Sequence, residues 1–160
     1  MSRTLFFSAL RQGFSLIEMM AVLVILSLLL ALALPAYYGH VLRARRVQGQ
    51  ASLLQLMQQQ ERYYSQNNSY LLFSAASTEP SAKQFQWWSG DGPEGNAGRS
   101  AYEIEAVACP GMQIKLCVLL RALPGTPRVD QQFHDADCGV LSLNSAGVRG
   151  SSGPAAHCWP

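Results

Sequence analysis

Residues 11–35 read RQGFSLIEMMAVLVILSLLLALALP, and the 21 residues 14–34 within them are almost all apolar, with Glu18 as their single charge. At about 1.5 Å per residue a helix of that length is roughly 31 Å long, the thickness of a bilayer's hydrocarbon core. The segment therefore has the length to span a membrane. A carboxylate at the centre of such a helix costs about 2.5 to 3.5 kcal/mol, and less toward an end. Glu18 calls either for a partner or for a place at the interface. Ala31-Leu32-Ala33 imitates the small-residue site of a cleaved secretory signal, but the length of the run and the acid inside it weigh against that reading. Arginines flank both ends, Arg3 and Arg11 before the run and Arg43, Arg45 and Arg46 after it. The positive-inside count therefore does not orient the helix.

Outside this segment the chain is unexceptional. Its 160 residues, 49% hydrophobic and 14% charged, allow one modest domain beside the apolar run. Lys and Arg number 12 against 10 Asp and Glu; without Arg3 and Arg11 the signs balance. Near-neutrality gives no electrostatic case for a dedicated nucleic-acid binder, although a local basic patch is compatible with it. The four cysteines all follow residue 108 and form no C-x-x-C pair. An even, scattered set behind a membrane-entry segment reads as disulfides in an oxidising compartment.

Pro35 lacks an N–H and would delete one helical hydrogen bond, marking the membrane exit or letting the helix bend. No strong break follows it before Tyr64, so the spacing predicts one helix of about 50 residues, amphipathic in its second half. Gln50, Leu54, Met57, Glu61 and Tyr64 follow one track, with Ala51, Leu53, Leu54 and Met57 as the apolar face. Gln48, Gln55, Gln58, Gln59 and Arg62 make a solvated or subunit-facing surface, and His40 is a helix-surface residue. Asn67 and Asn68 suit the left-handed residue that ends a helix. Residues 71–100, rich in Ser, Gly, Ala and Pro, read as a connecting loop, in which Trp87 and Trp88 are expected to pack on the core or a neighbour rather than to stand free as an adhesive pair. From residue 101 the period becomes two: Tyr102, Ile104, Ala106 and Ala108 alternate with Glu103, Glu105 and Val107. Further strands are expected within residues 116–123 and 139–143, and Asn144-Ser145-Ala146-Gly147 is a turn leading to a short fourth strand or loop. The fold class expected is α+β, a long helix with a small antiparallel sheet packed on its second half.

The string Gly13-Phe14-Ser15-Leu16-Ile17-Glu18, followed by an unbroken apolar helix and Pro35, resembles the leader and N-terminal helix of type IV prepilins. Glu61-Arg62-Tyr63-Tyr64-Ser65-Gln66-Asn67-Asn68-Ser69-Tyr70 resembles the end of the long helix in minor pilins of the PilE type. The resemblance is strong over residues 11–70, moderate over the last 25 residues and poor between. It implies cleavage by a prepilin peptidase between Gly13 and Phe14, N-methylation of Phe14, and removal of residues 1–13. Residues 14–34 would be membrane-spanning and then filament core, 35–66 an amphipathic continuation, 67–100 the loop joining helix to sheet, and 101–160 the sheet with a disulfide-closed C-terminal loop. Glu18, one helical turn from Phe14, would meet the terminal amine of a neighbouring subunit in the fibre. The implied partners are other pilin subunits, the prepilin peptidase and an inner-membrane assembly platform. The implied location is the inner membrane, with the globular part periplasmic, and then an extracellular pilus serving adhesion, twitching motility or DNA uptake.

Cys138 and Cys158 match that family's C-terminal cysteine pair. Cys109 and Cys117 depend on geometry: a two-residue hairpin at Pro110-Gly111 would set residue 104 opposite 117 and keep the two cysteines apart, whereas a wider loop over residues 110–116 would bring them together. The wider loop, with pairs 109/117 and 138/158, is preferred to other connectivities. His134, Asp135, Asp137, Cys138, His157 and Cys158 match no standard zinc spacing, and Asp130, Asp135 and Asp137 make only a weak case for calcium of the kind that some secretion pseudopilins carry. No catalytic ordering, phosphate-cradling glycine loop or redox motif occurs, so the expectation is a non-enzymatic assembly subunit without cofactor. The competing readings are a type II secretion pseudopilin, and a pilus-tip module binding DNA or a receptor through the Trp87 and Trp88 loop or the C-terminal loop.

Overall fold

A computed structural model describes residues 15–90 and 95–160, with the backbone alone at positions 35 and 36. Gly13, Phe14 and the leader before them lie outside the described residues. The chain divides into two units, Met1–His40 and Val41–Pro160. Helix α1, Leu16–Asn67, runs through the boundary between them as 52 continuous helical residues, Pro35 included. Its end is set by Asn68, whose φ of 51° is left-handed and whose N–H donates to the Tyr64 carbonyl at 2.8 Å.

Within the first unit the helix is bare. Leu16, Ile17, Leu23, Leu28 and Leu32 are 60–78% exposed, and none of the most apolar stretch is buried within the protein. A helix apolar on every side has no stable solution in water and calls for lipid or other helices around it.

In the second unit four antiparallel strands form a meander in sequence order: β1 Tyr102–Ala108, β2 Val118–Pro124, β3 Leu141–Asn144 and β4 Arg149–Ser151. The register pairs Ala108 with Val118 and Tyr102 with Pro124. Alternation selects one face: Tyr102, Ile104 and Ala106 of β1, Val118, Leu120 and Ala122 of β2, and Leu141 and Leu143 of β3 are buried against Leu53 and Leu56 of α1. The third strand opens at Leu141, two residues later than its alternation suggested, because Gly139 takes a φ of 60° and donates to the Asp135 carbonyl in a turn.

The helix face that meets the sheet is rotated from the expected one. Gln50, Leu53, Leu56 and Gln60 are buried, whereas Ala51, Leu54 and Glu61 face out. An apolar count misplaces this seam because two of its members are glutamines made apolar-compatible by their bonds. Gln50 Nε2 donates to the Cys158 carbonyl at 2.6 Å. Gln60 clamps Leu71 from both sides, its Nε2 donating to the carbonyl at 2.7 Å and its Oε1 accepting the amide N–H at 2.9 Å. Gln60→Leu keeps the volume and orphans both Leu71 groups. It should cost about 2 to 6 kcal/mol, on the order of 1 to 3 for each unsatisfied group, read as a lower urea midpoint. Gly49 has a specific reason as well: a Cβ there would stand 2.8 Å from the Tyr102 ring.

The connecting segment is an irregular extra edge on the sheet rather than a free loop. Ala106 N–H donates to the Phe73 carbonyl at 2.8 Å, Ile104 N–H to the Trp87 carbonyl at 2.6 Å and Ser89 N–H to the Tyr102 carbonyl at 2.9 Å. Phe73 stacks on Phe85 with ring centroids 5.1 Å apart, and Tyr63 meets Phe85 edge-on. Trp87 packs against the core, with Trp88 edge-on to it at 5.0 Å.

Candidate functional site: the N-terminal helix and the globular surface

The functional elements that the sequence points to are spread over the chain rather than gathered in a cleft. Glu18 stands in the first turn of α1, exposed, its own N–H donating to the Ser15 carbonyl at 3.0 Å. The positive end of the helix dipole favours a carboxylate there, and no cation approaches it among the described residues. Pro35 lies inside the continuous helix.

At the far end of the chain Cys138 is bonded to Cys158 and Cys109 to Cys117, with Cα atoms 5.5 and 5.4 Å apart. The first bridge ties the C-terminal segment to the base of β3. The second closes a loop at the β1–β2 tip, where Cys109 N–H donates to the Cys117 carbonyl at 3.2 Å and Met112, Lys115 and Leu116 face outward.

Sequence reasoning missed an ionic cluster that joins α1 and β1 to the turn before β3. Asp135 has a fully buried side chain. Arg46 grips it with two bonds, Nε to Oδ2 at 2.8 Å and Nη2 to Oδ1 at 2.7 Å. The Tyr102 hydroxyl donates to Oδ2 at 2.7 Å and the Cys138 N–H to Oδ1 at 3.2 Å. Burial works to raise the Asp135 carboxyl, but these four donors and the Arg46 charge prevail and hold it below the usual carboxylate range. The same contact with Asp135 raises the Arg46 guanidinium, while burial and the carboxylate push the Tyr102 hydroxyl well up. Beside it Arg45 pairs with Asp130 at 2.5 Å and lies over the Phe133 ring, 5.6 Å from its centroid. The signal was present as Arg45-Arg46 on a helix and three aspartates near a buried tyrosine, but nothing in the spacing pairs residues some 85 to 89 positions apart.

This pairing bears on calcium. Asp130 and Asp135 are each engaged by an arginine, and among the described residues no group of three or more His, Cys, Asp or Glu side chains is placed to hold a metal. Glu103 takes Arg128 at 2.9 Å and the Thr126 hydroxyl; Glu105 takes Arg121 at 3.1 Å. After these pairs, Arg43, Arg62, Lys83, Arg99 and Lys115 stand exposed with no acidic partner among the described residues.

A bare apolar helix continuing into an amphipathic one, capped by a four-stranded meander with a disulfide-closed C-terminal loop, defines the class: a type IV pilin. Residues 9–34 match the family model of the prokaryotic N-terminal methylation motif. Residues 35–142 match that of the type IV minor pilin ComP, DNA uptake sequence receptor, and the chain belongs to that minor-pilin family. Among solved structures it is similar to a type IV pilin from Shewanella oneidensis, with 27% identity, 74% of this chain and 98% of that one covered and a TM-score of 0.45. It is also similar to the non-core minor pilin PilV of Neisseria meningitidis, with 19% identity, coverages of 74% and 94% and a TM-score of 0.46. No curated protein matches the chain. The protein is thus a structural subunit of a type IV pilus, and its methylation motif and apolar helix are those of a chain anchored in a membrane before assembly.

Proposed function

We propose that this minor pilin serves DNA uptake, binding extracellular double-stranded DNA from within or at the tip of a type IV pilus. The observation that carries the reading is the match of residues 35–142 to a family described as a DNA uptake sequence receptor. The globular surface is compatible with it, since Arg43, Arg62, Lys83, Arg99 and Lys115, exposed and without an acidic partner among the described residues, are available to phosphates without first breaking an ion pair. Few phosphate contacts with little net charge mean modest non-specific affinity, so discrimination between sequences has to come from base or shape readout. The purified full-length protein in detergent, titrated with labelled chromosomal fragments from its own species, should bind more tightly than with unrelated duplex. Log affinity should fall with log salt by about 0.9 per phosphate contact. Failure to bind either duplex at low salt would refute the reading.

On the assembly side, we infer that residues 1–13 are a leader removed by the prepilin peptidase between Gly13 and Phe14, and that the Phe14 amine is then methylated. The helix is held in the inner membrane, with the globular part periplasmic, until an assembly platform passes it into the fibre. There the Glu18 carboxylate pairs with the Phe14 amine of a neighbour, which compensates its burial among apolar helices. Glu18→Ala should leave membrane insertion intact and sharply reduce the amount of this subunit in sheared fibres, by immunoblot. Normal incorporation would show the acid to be incidental.

A further inference from the structure

The first unit carries a pair of side chains that neither the fibre contact of Glu18 nor DNA binding uses. Tyr37 and Tyr38 follow the apolar run, are 64% and 68% exposed, and meet edge-on with ring centroids 6.2 Å apart. Large amphipathic rings left this bare on a helix need an environment that is apolar for the ring and wet for the hydroxyl. Consecutive positions on a helix point about 100° apart, so the two rings cover a broad arc rather than one stripe. A stripe suits a single neighbouring helix; an arc suits a layer that surrounds the helix.

We propose that Tyr37 and Tyr38 anchor α1 in the lipid headgroup layer at the globular end of its membrane span, and that this anchor sets the depth of the stored helix so that Glu18 reaches the opposite headgroup layer. The inference rests on the membrane-stored reading above. Glu18 and Tyr38 are twenty positions apart on one continuous helix, about 30 Å at 1.5 Å per residue, and the hydrocarbon core is about 30 Å thick. When the rings sit at one interface, where tyrosine is enriched in membrane proteins, the carboxylate sits at the other. The residues between them, 19–34, are apolar apart from Ser27, whose hydroxyl is satisfied by the Val24 carbonyl at 2.8 Å. Glu18 therefore needs no partner while the subunit waits in the bilayer. Its need for a neighbour's amine begins only when the helix leaves lipid.

The full-length protein in phosphatidylcholine vesicles tests this with tryptophan as a depth probe, since Trp87, Trp88 and Trp159 all lie in the second unit and give a constant background. Ile25→Trp, mid-span, should lose its added emission with lipids brominated near the bilayer centre. Without that loss the helix is not inserted, and the membrane reading falls together with the anchor. Given insertion, Tyr38→Trp should lose its added emission with bromines near the headgroups and keep it with central ones. Loss with central bromines, or with neither, overturns the anchor; emission that changes only on fibre assembly would assign the pair to a subunit contact and overturn it equally. A water-soluble carbodiimide should modify Glu18 in unsubstituted protein in the same vesicles, located by peptide mass spectrometry. Modification solely by a lipid-soluble carbodiimide would overturn the proposed depth.

Discussion

Arg46→Ala should lower the stability of the globular unit by about 3 to 5 kcal/mol, the cost of breaking a buried ion pair from one side. The substitution leaves the Asp135 carboxylate with no counter-charge in a site where its side chain has no solvent exposure. Tyr102 and the Cys138 amide would remain as donors, so the carboxylate is not wholly abandoned. Two neutral donors do not replace a bidentate guanidinium. The cost should also depend on pH. Asp135 is held below the usual carboxylate range when folded, so its contribution is complete above the unfolded value near 3.9 and is lost as pH falls through the lower folded value. In the variant, burial without Arg46 favours the protonated form. The gap between parent and variant should therefore be widest near neutrality, begin to shrink already above the unfolded carboxylate value as the variant's Asp135 takes up its proton, and go on shrinking through the acid range. Urea unfolding followed by tryptophan emission at several pH values measures it; a gap below about 1 kcal/mol at pH 7 would mean that the pair is only a surface-grade contact.

Cys138→Ser with Cys158→Ser should cost about 3 kcal/mol through the unfolded chain, since the bridge closes a separation of 20 residues. The loss reaches beyond the bond. Cys158 delivers the carbonyl that satisfies buried Gln50, and the turn beside the bridge is held by Gly153 N–H to the Cys138 carbonyl at 2.9 Å and Ala155 N–H to the Asp137 carbonyl at 3.0 Å. Gly153 has no room for a side chain there, as a Cβ would stand 2.2 Å from the Asp137 carbonyl oxygen. Releasing the C-terminal strap thus also loosens the seam between helix and sheet, and places Asp135, three residues before Cys138, in a less rigid turn. Removing Cys109 and Cys117 should cost about 2.5 kcal/mol, because the separation is 8 and the loop is mostly exposed. A larger loss from that pair than from Cys138 and Cys158 would contradict the chain-entropy account.

Periodicity makes much of this fold readable. A run apolar on all sides can only be a helix in an apolar medium, and strict alternation from Tyr102 to Ala106 leaves one face for a core. The helix seam was less readable because Gln50 and Gln60 are buried as hydrogen-bonding clamps, so the polar pattern turned the expected face by about one residue, toward Leu54. The Arg46, Asp135 and Tyr102 cluster was visible only as separate residues: nothing in the spacing pairs positions 33 to 89 apart, and it is the folded chain that brings them together. Glu18 stood out for the opposite reason, since a charge in an apolar run is conspicuous wherever it occurs. The DNA-binding role proposed above would leave no mark in net charge, because acidic neighbours offset Arg45, Arg46, Arg121 and Arg128.

The central claim, a minor pilin whose work is DNA uptake, is tested most directly in cells that lack this chain, with surface fibres counted and the entry of labelled double-stranded DNA followed in the same culture. The account predicts that fibres persist, that DNA entry falls to background, and that the full-length chain restores it. DNA entry unchanged in fibre-bearing cells without the chain would contradict it.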